Sequence, residues 1–285
     1  MWPTLISVGP IAIQSFGVLV GLGVFLGGFV FWSKGKEEGF EAEALMDSWL
    51  ISGVMALVVG RAWYVLEHWS EFGKSVYKWL FLTKFPGLSY EGVLIGVFLS
   101  WLIFGLKKKW QVWRMLEVGV MAWLMVEMFG WLGSFLAGSS LGRSTNWFWG
   151  MSFPGAESRR HPVQLIWFVL VWLVFVLLKS WETKYRSFNW YKSKKGEAKP
   201  GFLVAMFLLL IGAMRLGMSF LMNGVNRWFG VGLVLIGGLI LVERSGIKIT
   251  LAKTKLKEKQ PKVKVKLKKR KSLRNRKKRG FDFYE

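Results

Sequence analysis

The chain has 285 residues, 53% of them hydrophobic and 16% aromatic, with 18 Trp, 23 Phe and a formal net charge of +23. Soluble globular chains carry fewer aromatics and break their apolar runs sooner, so an ordinary soluble domain is excluded and the bilayer is the expected solvent. There is no cysteine and there are only two histidines, His68 and His161, which excludes disulfides, thiolate metal sites and multi-histidine metal sites.

Seven apolar runs of about spanning length follow in chain order, over 10–32, 45–66, 89–106, 115–137, 162–180, 201–222 and 228–243. The third and seventh are short. Residues 1–10 show no basic leader, and no small-residue cleavage pattern follows, so the first run is expected to stay as a helix. The loops 67–88 and 138–161 are long enough to hold structure of their own. With the N-terminus outside, the inner segments 33–44, 107–114, 181–200 and the tail from Arg244 carry two, four, six and eighteen Lys and Arg. The outer segments 1–9, 67–88, 138–161 and 223–227 carry none, three, three and one. The bias predicts N-out and C-in. The expected fold is therefore an all-α membrane protein of about seven transmembrane helices over 1–245, followed by a disordered basic tail over 246–285. Such a tail suits anionic membrane lipid, each basic residue adding about 1 kcal/mol near the surface. Nucleic acid is the weaker reading for it, because few aromatics are interleaved for stacking on bases.

A charge inside the bilayer needs a partner, water or a task. Asp47 and Glu117 lie nearer the inner face and read as interfacial. Arg61, near the outer end of the second run, either snorkels to the interface or supports a site. Glu127 is mid-span, where a structural ion pair is the plain alternative to a supporting role. Glu91 opens the third run. Arg143 and Asn146 stand in the small, polar segment 138–147, where a guanidinium fork and an amide would suit a phosphoester head group, although polar loops with an arginine are common. Arg160 and His161 precede Pro162 and Gln164 at the start of the fifth run. His161 either caps the helix or works as an acid or base near neutral pH. Arg215 lies deep in the sixth run, beyond snorkelling reach, and reads as functional.

Several segments together resemble the prolipoprotein diacylglyceryl transferase family of bacterial membrane enzymes. Residues 10–17, with Pro10, Gln14 and Gly17, stand in place of the family's first motif. Gly60 to Val65 resembles its Gly-Arg-x-x-Tyr-Val element, and Pro86 to Val93 its Gly-Gly-Leu-Ser-Phe-His-Gly-Gly segment. Gly142 to Trp147 resembles the signature Gly-Arg-x-x-Asn-Phe, and Trp149 to Pro154 a Trp-Gly-x-x-Phe-Pro piece. Arg160 to Leu165 resembles Arg-His-Pro-Ser-Gln-Leu, and Arg215 the sixth-span arginine. The departures are polar. Phe16 replaces a tyrosine, Glu91 a histidine, Ser219 a glutamate and Ile211 a tyrosine, and Ile166-Trp167 stands for Tyr-Glu.

The resemblance implies transfer of a diacylglyceryl group from phosphatidylglycerol to the lipobox cysteine of prolipoproteins in the bacterial cytoplasmic (inner) membrane, with release of glycerol phosphate. It implies no metal or diffusible cofactor, and prolipoprotein signal peptides as partners. Under it, Arg143, Arg215 and Arg160 hold the phosphate. Asn146 orients the head group, and His161 or Glu91 takes the thiol proton. Arg61, Gln164 and Glu127 support them. Loss of the family's polar groups leaves a second reading open, a catalytically degenerate member that binds lipid or preprotein. A transporter or channel is the remaining class, and it would need discontinuous helices lining a midplane site.

Overall fold

The computed structural model describes residues 1–8, 11–185, 188, 191 and 199–245. The basic tail lies outside the described residues. The elements are β1 (Thr4–Val8), β2 (Ile11–Gln14), α1 (Ser15–Glu37), α2 (Ala42–Glu67), α3 (Trp69–Phe72), α4 (Val76–Leu80), α5 (Tyr90–Lys107), α6 (Val112–Ala137), α7 (Val163–Lys184), α8 (Phe202–Met218) and α9 (Arg227–Ser245). Among the described residues, six helices are long and apolar enough to cross a membrane, and α8, at 17 residues, is a shorter apolar helix. The seven predicted runs thus all fold as helices, and the mostly helical membrane fold stands.

The first helix begins later than the hydropathy pattern suggested. β1 and β2 pair antiparallel as a hairpin in which Ile6 pairs with Ile13 and Ser7 with Ala12. Thr4, Ile6, Val8, Ile11 and Ile13 are β-branched, and such residues favour a pleated strand as readily as they lengthen an apolar run. The hairpin is tied to α1 by the Ser15 backbone N–H, which donates to the Pro3 carbonyl at 3.0 Å. The Ser15 hydroxyl donates to the Trp2 carbonyl.

Close helix packing in lipid needs small residues, because apolar burial gives no preference between a neighbouring helix and an acyl chain. A Cβ on Gly96 of α5 would lie 2.5 Å from the Met55 carbonyl oxygen of α2, and one on Gly92 would lie 2.6 Å from that of Val59. Gly212 of α8 and Gly230 of α9 face each other in the same way. These approaches set α5 against α2 and α9 against α8.

Arg61 does not snorkel. It is buried on α2, with Nε donating to the Trp79 carbonyl at 2.9 Å. Its two NH groups donate to the carbonyls of Gly87 and Lys78 at 2.9 and 2.7 Å. Its guanidinium carbon lies 4.9 Å from the Phe72 ring centroid. One side chain therefore gathers the two short helices of the 67–88 loop and the entry to α5. The substitution Arg61→Ala is expected to remove three charge-assisted bonds, each worth about 1.5–3 kcal/mol at most. Trypsin should then cut at Lys74, Lys78 or Lys84 several-fold faster while the helical bundle persists. Unchanged cleavage would show that the loop is held by its apolar contacts alone.

Candidate functional site

A buried polar cluster joins the start of α5 to the end of α8. Ser89 precedes α5, its N–H bonded to the Gly60 carbonyl at 3.1 Å and its hydroxyl donating to Glu91 Oε2 at 2.9 Å. Glu91 sits in the first turn of α5, where the helix dipole favours an anion, and Arg215 in the last turn of α8, where it favours a cation. Arg215 donates from one NH to Glu91 Oε1, and both residues are buried. The guanidinium lies 4.6 Å from the Tyr90 ring centroid and 5.2 Å from that of Phe229. Its Nε has no hydrogen-bond partner among the described residues.

Behind this pair, the Tyr90 hydroxyl donates to Glu127 Oε1 at 2.9 Å and the Trp123 indole to Glu127 Oε2 at 2.9 Å. Glu127 therefore carries no salt bridge among the described residues, where an ion pair was the plain alternative for it. It is held by neutral donors and fixes the ring on which Arg215 lies.

The 138–161 loop forms a second polar layer. Arg143 Nε donates to Asn223 Oδ1 at 3.0 Å and one NH donates to the Ser219 carbonyl at 3.4 Å. Ser219 in turn donates its N–H to the Arg215 carbonyl at 3.0 Å. Ser219 stands one helical turn beyond Arg215, so both arginines attend the same end of α8. They do not share a cluster, since Arg215 is buried against Glu91 and Arg143 is exposed. Arg160 donates to the Gly142 carbonyl at 3.2 Å, and its buried Nε has no partner among the described residues. Asn146 is exposed on the loop, apart from the buried network. Gln164 is fully buried and donates its amide to the Ser139 carbonyl.

His161 is half-buried, and its Nδ1 receives the Trp149 indole N–H at 3.1 Å. A neutral imidazole has one acceptor nitrogen, so this bond puts the ring proton on Nε2. In that form the ring has a donor at Nε2 and no acceptor left. Sequence reasoning missed Ser89, Tyr90 and Trp123. Ser89 and Tyr90 lie in the family-like segment Pro86 to Val93, within two residues of Glu91, and Trp123 lies one helical turn from Glu127.

Six apolar helices of spanning length among the described residues, with ionisable groups buried where α5 begins and the shorter α8 ends, define a multi-pass membrane protein with an internal polar site. The family model described as prolipoprotein diacylglyceryl transferase matches residues 3–243. The chain belongs to that family of transferases.

Among similar proteins, a phosphatidylglycerol–prolipoprotein diacylglyceryl transferase of Clostridium perfringens is 24% identical over 83% of this chain and 92% of its own length. One of Aliivibrio fischeri is 28% identical over 84% and 88%. One of a Nostoc species is 27% identical over 63% of this chain, and there the match spans 62% of the relative's length.

Proposed function

We propose that the chain transfers a diacylglyceryl group from phosphatidylglycerol to the cysteine thiol of a bacterial prolipoprotein. The observation that carries this reading is the buried Glu91–Arg215 pair, an anion and a cation set side by side where α5 begins and α8 ends. The thiol loses its proton to the Glu91 carboxylate. The sulfur forms a bond to the glyceryl carbon that bears the phosphate ester. The carbon–oxygen bond breaks and glycerol phosphate leaves with the electron pair. Thiolate formation and phosphate departure both need charge held in a place poor in water. Arg215 supplies the buried positive charge and has Nε still to offer. Arg143, Arg160 and the Nε2–H of His161 receive the phosphate from the loop side, and Asn146 meets the glycerol head from the exposed edge. Gln164, Glu127 and Arg61 hold the frame.

The family, the apolar helices and the loop charges support seven spans in the bacterial inner membrane, N-out and C-in. Residues 1–245 then form the catalytic domain, and the tail from 246 rests on anionic lipid, with signal peptides of prolipoproteins entering from the membrane.

The test uses the purified chain, phosphatidylglycerol labelled in its acyl chains and a lipobox peptide. Label on the peptide cysteine is expected. Arg143→Ala should slow transfer about 100–1,000-fold, a loss of the order seen when one donor to a developing anion is removed. Arg215→Lys keeps the charge without the planar fork and should slow it similarly. Wild-type rates in both would end the phosphate assignment. A second reading, a member that binds lipid without catalysis, is favoured by one observation. The charge of Arg215 is already compensated by Glu91 and the Arg143 fork already bonds Asn223 and Ser219. Retention of labelled lipid with no transfer would establish it.

A further inference from the structure

Trp147, Phe148 and Trp149 stand exposed in a row on the α6–α7 loop, with Phe148 82% open. An aromatic side chain offers about 150–250 Å² of surface, and leaving it in water forgoes roughly 25 cal/mol per Å² of its apolar part. The row is nevertheless built rigidly. The two indoles stack at 4.5 Å, and Phe148 meets Trp149 edge-on at 4.7 Å. Arg159 clamps the backbone beneath them, its Nε donating to the Gly150 carbonyl at 2.9 Å and an NH to the Phe148 carbonyl at 3.3 Å. The turn closes through Gly150 N–H to the Trp147 carbonyl at 3.0 Å, and Thr145 N–H donates to the Arg159 carbonyl at 2.8 Å.

The loop is also fixed in height. Gly138 ends α6, Arg143 N–H bonds the Leu221 carbonyl just beyond α8, and His161 N–H bonds the Arg143 carbonyl just before α7. Three apolar helices end at this level, so the aromatic row sits where hydrocarbon gives way to head groups. Tryptophan favours that layer, where its ring meets hydrocarbon and its N–H meets polar groups, and a neighbouring arginine favours lipid phosphate.

We propose that the Trp147–Phe148–Trp149 ridge inserts into the phospholipid head-group layer and sets the depth of the loop that carries Arg143 and His161. The bond from Trp149 to His161 passes that depth directly to the imidazole. Three consecutive rings on one tight turn give an edge, whereas capture of an apolar peptide uses a groove. The lipid surface is therefore the partner. This inference needs only the helices as spans and stands apart from the transfer reaction.

The chain has no cysteine, so one introduced thiol gives a single labelled site. Phe148→Cys and, as an exposed control on the same loop, Ser158→Cys carry a bimane label in vesicles of phosphatidylglycerol and phosphatidylcholine. The label at 148 is expected to be quenched by lipids bearing a nitroxide near the top of the acyl chain. Aqueous iodide should quench it about threefold or more less than the label at 158. Equal iodide quenching at both positions overturns the proposal. So does shielding at 148 that arises only when a lipobox peptide is added, which would make the ridge a peptide contact. If the 148 variant melts early, the same comparison is made with Trp147→Cys.

Discussion

Glu91→Ala is expected to cost about 3–5 kcal/mol of stability and to abolish transfer, because it leaves the Arg215 guanidinium buried without its counter-charge. The two partners are not equivalent. An orphaned carboxyl can be neutralised by a proton, whereas a guanidinium stays charged at any pH a protein survives. Arg215→Met should therefore be milder than Glu91→Ala. The double variant should recover most of the loss, since replacing both members of a buried pair by apolar groups is often neutral. Thermal melting in detergent micelles gives the three values, and their cycle gives the coupling between the side chains. A coupling near zero, with the single losses simply adding, would mean that the pair is not formed. Stability and transfer should separate in the double variant, which is expected to fold and to be inactive. An active double variant would remove Glu91 and Arg215 from the chemistry and leave only the exposed loop to account for it.

The parts of this molecule that were legible in the sequence are those set by local composition. Run length located the helices, because roughly 20 apolar residues in succession have few other solutions in a lipid solvent. The pairing of β1 with β2 was hidden, since Ile and Val extend an apolar run whichever backbone they adopt. Glu91 and Arg215 were each legible as charges in the wrong solvent. Their pairing, across 124 residues, was not, because nothing local to α5 encodes which helix end will arrive beside it. Arg61 shows the converse. Its position near a helix end suited snorkelling, but three backbone carbonyls from a folded loop satisfy it instead, and carbonyls leave no trace in a sequence. Asn146 was singled out by type and spacing, yet it stands exposed. Glu117, read as interfacial, stands near the start of α6 and is buried within the protein.

That burial of Glu117 leads to the second large effect. Its Oε1 accepts the N–H groups of Gly201 and Leu203 at 2.7 and 3.1 Å, and its Oε2 accepts the Tyr185 hydroxyl at 3.2 Å. A helix leaves its first N–H groups without internal partners, and in lipid no water can serve them. α6 thus supplies, through one carboxylate, the cap that α8 does not carry itself. Glu117→Ala should leave the buried N–H groups of Gly201 and Leu203 without this acceptor, at about 1–3 kcal/mol each, for a total of about 2–6 kcal/mol. Glu117→Gln retains the acceptor facing the two N–H groups, and the Tyr185 hydroxyl can turn to accept from the new amide. Its loss should be about 1 kcal/mol, chiefly the charge–dipole contribution. Hydrogen exchange at Leu203 and its neighbours should quicken in the alanine variant and stay slow in the glutamine variant. Equal melting temperatures for the two would show that the cap is idle. α8 is 17 residues long, about 26 Å, and carries Arg215 near its far end, so the anchor at Glu117 fixes how far along the bundle axis that guanidinium reaches. The Glu91–Arg215 coupling, measured again in the Glu117→Ala background, is therefore expected to fall, and an undiminished coupling would mean that Arg215 is positioned by its own surroundings alone.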